Sequence, residues 1–139
     1  MIRFLPLALV ACSFARGEAD RAVLCLGGTP EASEDGAPLE INAGEALELS
    51  VQDGMGCHTE DLEVSCTAEI VDDEIFVTTE TTWTRVRPLA TNCEAVLFTA
   101  VGSCATSAPL EEGTYTVYYG DQSLVIEVPG EADETCIFP

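Results

Sequence analysis

The sequence predicts an all-β protein, a small antiparallel β-sandwich of about seven strands braced by disulfides. Three observations carry that expectation. The stretch from Leu110 to Pro129, LEEGTYTVYYGDQSLVIEVP, holds two alternating apolar runs joined by a polar turn. A second alternating pair runs from Leu62 to Trp83. Seven cysteines are spread along a chain that offers almost nothing with helical periodicity.

In the first stretch Tyr115, Val117 and Tyr119 share one face of one run, and Leu124, Ile126 and Val128 share one face of the next. With Asp121 and Gln122 as the turn, Tyr119 lies opposite Leu124, Val117 opposite Ile126 and Tyr115 opposite Val128. The hairpin then has one apolar and one wet face, and the apolar face requires a second layer to cover it.

The second pair runs in a single register. Leu62, Val64, Cys66, Ala68 and Ile70 alternate with polar residues. An Asp72-Asp73 turn sets Ile70 opposite Ile75, Ala68 opposite Val77, Cys66 opposite Thr79, Val64 opposite Thr81 and Leu62 opposite Trp83. So long a ribbon is expected to bend or change partners before Trp83, which reads as a core anchor.

Shorter strands fill the remainder. Leu39 and Ile41 precede a turn-like Asn42-Ala43-Gly44-Glu45, and Leu47, Leu49 and Val51 alternate after it. Gln52 to Asp61, with Gly54, Gly56, Cys57 and His58, reads as a loop, and Pro88 to Asn92 as another. Ala95 to Val101 is apolar on both faces, as a central strand is, and Gly102-Ser103 begins the next connection.

The strand Gly-Thr-Tyr-Thr-Val-Tyr-Tyr and the final strand Leu124 to Val128 resemble the immunoglobulin-like β-sandwich over residues 39–129. The resemblance implies architecture alone. Trp83 lies between Cys66 and Cys93, but that interval is much shorter than in antibody domains, and neither antigen recognition nor adhesion follows.

The charge is lopsided: 25 acidic residues face five arginines and no lysine, a formal net charge of -20. Duplex or polyphosphate binding needs cations to neutralise phosphates, so no nucleic-acid partner is expected. A generally acidic surface, a bound cation or a basic partner all fit this balance.

The N-terminus predicts export. Met1-Ile2-Arg3 is a short basic head, and Phe4 to Ala11 is an apolar run too brief to span a bilayer. The run ends Leu9-Val10-Ala11-Cys12, which resembles the lipobox of bacterial lipoproteins, although its apolar core is short and interrupted by Pro6. The resemblance implies a signal over residues 1–11, a diacylglyceryl group on Cys12 and a membrane held through that lipid. A secretory signal over residues 1–15, cut after Ala15, is the alternative. Residues 12–38 then read as a lipidated terminus and tether, with Val23 to Leu26 as either part of it or a first edge strand, and residues 39–139 as the domain and its tail. The expected location is the cell envelope, on an outer membrane or cell surface, with the periplasm or the medium as the alternative.

Setting Cys12 aside leaves Cys25, Cys57, Cys66, Cys93, Cys104 and Cys136, enough for three bridges outside the cytosol. A straight strand from Cys93 to Cys104 would span about 35 Å, whereas a bridge needs Cα atoms about 4.4–6.8 Å apart. Such a strand sends both cysteines to partners elsewhere, with Cys57 and Cys66 as candidates. A local Cys57–Cys66 closure, or a fold-back joining Cys93 to Cys104, remains open. Cys25 and Cys136 lie outside the predicted body and are placed to staple its two ends.

Catalytic motifs are missing from the sequence: no phosphate loop, no zinc-like spacing, and one histidine, His58, beside Cys57. His58 reads as a loop residue next to a disulfide, with metal or redox chemistry as its competing role. Asp72, Asp73 and Glu74, joined by Asp53 or Asp61, are the candidate ligands for calcium; an Asp-Asp pair is also an ordinary turn. These readings favour a noncatalytic, extracytoplasmic lipoprotein acting as a structural or protein-binding module, with a protein or cell-envelope partner. A calcium-dependent binding module is the alternative, followed by a carboxylate enzyme or a secreted inhibitor.

Overall fold

The structure, a computed structural model, describes residues 14–27, 38–56, 59–85, 98–133 and 135–139. These residues form eleven strands: β1 Phe14–Ala19, β2 Val23–Leu26, β3 Leu39–Ile41, β4 Glu48–Met55, β5 Thr59–Val71, β6 Glu74–Arg85, β7 Phe98–Ala105, β8 Gly113–Tyr119, β9 Gln122–Val128, β10 Gly130–Ala132 and β11 Cys136–Ile137. The expected all-β class holds. Beyond the seven expected strands stand β1, β2, β10 and β11.

The first sheet is built on β6. Antiparallel β5 runs along one edge of it. The other edge is divided: β8 pairs in parallel with Glu74 to Val77, and β1 pairs antiparallel with Glu80 to Arg85. Antiparallel β9 follows β8. The second sheet has the order β11-β2-β4-β7, and β3 with β10 makes a separate short ribbon.

Alternation places one side of each sheet in a shared core. Ile75, Val77, Tyr115, Val117, Tyr119, Ile126 and Val128 from the first sheet cluster with Leu24, Leu26, Leu49, Val51 and Ile137 from the second. Tyr119 ties the layers together, since its buried hydroxyl donates to the Ala22 carbonyl at 2.6 Å and accepts from Thr79 Oγ1 at 2.9 Å. On the other edge the backbones come so close that a Cβ on Gly102 of β7 would run into the Val64 carbonyl oxygen of β5.

Several expectations need correction. In the last hairpin the turn is Gly120-Asp121, so Tyr119 pairs with Gln122, Val117 with Leu124, Tyr115 with Ile126 and Gly113 with Val128. Gly120 takes φ 59°, a left-handed position that costs glycine little, and so favours a two-residue turn at Gly120-Asp121 over one of the same length at Asp121-Gln122. The slip is by two residues, so every side chain keeps its face. In β5 and β6 the four pairs from Ile70–Ile75 to Val64–Thr81 are as expected, and then an irregularity between Glu60 and Glu63 removes the Leu62–Trp83 pair. Trp83 pairs instead with Arg16 of β1 and is only half-buried.

The segment read as a tether contains β1 and β2, and β2 is an interior strand between β11 and β4. Leu24 and Leu26 supply core on one face while Cys25 points to the other. The 52–61 loop is shorter than expected because β4 continues to Met55 and β5 starts at Thr59. Likewise β7 runs through Gly102-Ser103 to Ala105 and, among the described residues, pairs by a full ladder only with β4; Val101 is exposed rather than central.

Candidate functional site: a closed seam and an open face

Two disulfides are described. Cys25 joins Cys136 between β2 and β11, as the end-to-end staple predicted, although Cys25 sits within the body rather than outside it. Cys66 joins Cys104, with Cα atoms 5.6 Å apart. Both face inward, Cys66 beside Thr79 and Cys104 beside Leu49, so this bridge links the two sheets. Cys12, Cys57, His58 and Cys93 lie outside the described residues.

Of the acids proposed as calcium ligands, Asp53 has a different role. It follows Leu49 and Val51 in phase along β4 and is buried. Arg21 donates to it twice, Nε to Oδ2 at 2.7 Å and Nη2 to Oδ1 at 3.2 Å. Thr81 Oγ1 donates to Oδ2 at 2.7 Å, and the Gly54 amide to Oδ1 at 2.8 Å. These four donors satisfy the carboxylate. Its hydrogen bond to Arg21 holds the guanidinium pKa above the ordinary value against the opposing effect of burial. Arg21 also lies 5.5 Å from the Trp83 ring centroid and pairs with Glu18. The result is a closed seam between β4 and β6.

The other candidates are elsewhere. Asp72 and Asp73 form the β5–β6 turn, with Asp72 at φ 55°, and Glu74 begins β6. Asp61 sits in the β5 irregularity, at φ 52°. Thr81, which touches Asp53, is seven extended residues along β6 from Glu74, about 23 Å at roughly 3.3 Å per residue. Asp53 and Glu74 therefore cannot hold one ion. Among the described residues no group of three or more His, Cys, Asp or Glu is arranged for a metal.

A second feature was not read from the sequence: the outer side of the first sheet. Cross-strand register sets two adjacent rows there, Glu69-Phe76-Tyr118-Ser123 and Val71-Glu74-Thr116-Val125. Phe76 stacks on Tyr118 with centroids 5.3 Å apart and planes 14° from parallel. Val71 is 52% exposed, Phe76 40% and Val125 62%. Tyr118 Oη donates to Glu74 Oε1 at 3.3 Å. The signal lay in residues out of phase with the core, apolar Val71, Phe76 and Val125 where alternation calls for polar ones, but only the parallel β6–β8 pairing brings Phe76 beside Tyr118.

No family model matches the chain, and no curated protein or solved structure shows a significant similarity to it.

Proposed function

We propose that the protein is a noncatalytic, extracytoplasmic lipoprotein domain that presents a folded β-surface to a protein or cell-envelope partner. The observation that carries this reading is the position of Leu9-Val10-Ala11-Cys12, with only Ser13 between Cys12 and the first residue of β1. Cleavage before Cys12 leaves β1 whole. Cleavage after Ala15 deletes Phe14 and Ala15, which pair with Arg85 and Thr84. The two disulfides favour an oxidising compartment. From Cys12 to Phe14 the chain reaches about 7 Å at most, so the lipid holds the domain close to the bilayer rather than on a long tether.

The noncatalytic part draws on the seam. Asp53, the buried carboxylate, has its lone pairs engaged by Arg21, Thr81 and Gly54, which removes it as a general base. A calcium-dependent module would have to work from Asp72, Asp73 and Glu74 at one turn.

The immunoglobulin-like assignment belongs to the same proposal. Tyr115 Oη accepts from the Glu111 amide, four residues upstream, at 3.0 Å, the contact of a tyrosine corner at the start of a late strand. The Cys66–Cys104 bridge between sheets adds support, while Trp83 beneath Arg21 departs from the pattern.

Intact-mass analysis of the protein extracted from its native membrane tests the anchor. The expected species begins at Cys12 and carries a diacylglyceryl adduct. An unlipidated chain beginning at Arg16 would overturn the lipoprotein reading.

A further inference from the structure

The outer face of the first sheet combines two properties. Its centre is apolar and exposed: the Phe76–Tyr118 stack with Val71 and Val125 beside it. Its frame is anionic. Glu69 and Glu74 stand within the two rows, Glu127 is two residues from Val125 on the same face of β9, and Glu63 and Glu80 extend the charge along β5 and β6.

No arginine stands at these register positions. Among the described residues Arg16 and Arg85 lie at the far end of β6, and Arg21 is engaged in the seam. A scattered hydrophobic residue needs no explanation, whereas here an aromatic pair stands in one row with an exposed valine at each end of the next, Glu74 and Thr116 between them.

We infer that this face is a docking surface for a basic protein segment whose lysines or arginines alternate with aliphatic or aromatic side chains. The inference rests on reading the domain as a binding module, and it specifies the partner's chemistry. Cations of the partner meet Glu69, Glu74 and Glu127, and they also suit the faces of aromatic rings. Its apolar groups cover Phe76 and Val125, which are the contacts that water leaves least satisfied. A second copy of this chain does not fit, because it would set the same five glutamates against one another. Nucleic acid and anionic lipid surfaces are repelled by the same charge.

The test uses the full chain, disulfides oxidised and isotopically labelled, in about 150 mM salt so that long-range attraction is screened. The probe is a short synthetic peptide alternating lysine with valine and phenylalanine. Amide shifts are expected to concentrate at Val71, Phe76, Tyr118 and Val125. The F76S/V125S variant, altered only at exposed positions, is expected to weaken binding by about tenfold or more, as is replacing the peptide's valines and phenylalanines by serine. A peptide with glutamate for lysine is expected not to bind.

Shifts spread over the acidic surface at large, or unchanged affinity in F76S/V125S, would reduce the interaction to general polyanion attraction and overturn the proposal. So would self-association through this face in the absence of peptide. Failure here leaves the mass test at Cys12 standing, and an unlipidated terminus leaves the docking result standing.

Discussion

Toward the C-terminal end of β6, Trp83 lies under Arg21, and Arg21 reaches past it to the buried Asp53. Toward the other end of the same strand, Phe76 stacks on Tyr118 in the open, with Glu69 and Glu74 in the adjoining rows. Both regions put carboxylates near aromatic rings, and they differ in where the donors come from. Asp53 receives its hydrogen bonds from inside the fold, from Arg21, Thr81 and the Gly54 amide, and so fixes one sheet against the other. Glu69 and its neighbours project into water. Removing a group from the seam therefore acts on stability, and removing one from the open face acts on what the face can hold.

The largest effect that separates the two regions is expected at the seam. Asp53→Ala strands Thr81 Oγ1 and leaves Arg21 without its partner, and is expected to cost about 3 kcal/mol in urea unfolding. Arg21 retains some access to solvent, which keeps the loss from being larger. Asp53→Asn preserves the shape and one acceptor, so its loss should be smaller. Equal stability of Asp53→Ala and the parent would mean that the seam does not hold the sheets together.

Next is Tyr119, the buried hydroxyl between the layers. Tyr119→Phe leaves the Ala22 carbonyl without its donor and is expected to cost about 2 kcal/mol. The same residue makes stability depend on alkaline pH. Burial raises the Tyr119 pKa, the charges of Asp20 and Asp53 add to this, and the Thr79 hydrogen bond opposes it. The folded protein thus holds this proton when the unfolded chain has released it. The stabilisation is whole below the unfolded value of about 10 and is lost as pH rises from there through the folded value, by at most about 1.4 kcal/mol per pH unit. Tyr119→Phe should lack that part of the alkaline decline, which parallel urea titrations on either side of pH 10 would measure.

Much of the first sheet was legible in the sequence because alternation has only two phases. It assigned Tyr115, Val117, Tyr119, Ile126 and Val128 to the core, and the Asp72-Asp73 turn set the β5–β6 register as far as Thr81. The two-residue slip in the last hairpin was not legible, since an even shift leaves both faces unchanged and only the backbone freedom of Gly120 selects it.

The second sheet was harder to read. Val23 to Leu26 is too short to show a period, and its polar approach, Arg16 to Asp20, pairs with β6 mainly through backbone groups. Asp53 carried a usable signal in its phase with Leu49, Val51 and Met55, but Gly54 and Gly56 suggested a loop there. The open face depends on a parallel contact between strands about forty residues apart, which no local pattern announces.

The most direct test of the contrast is the stability of F76S/V125S in urea. If the outer face is uncovered, the double variant gives up little beyond the Phe76–Tyr118 stack and is expected to lose about 1 kcal/mol, with an unchanged m-value. A loss of about 2 kcal/mol or more would show that Phe76 and Val125 are packed against the fold, and would contradict the account of this face as an open surface.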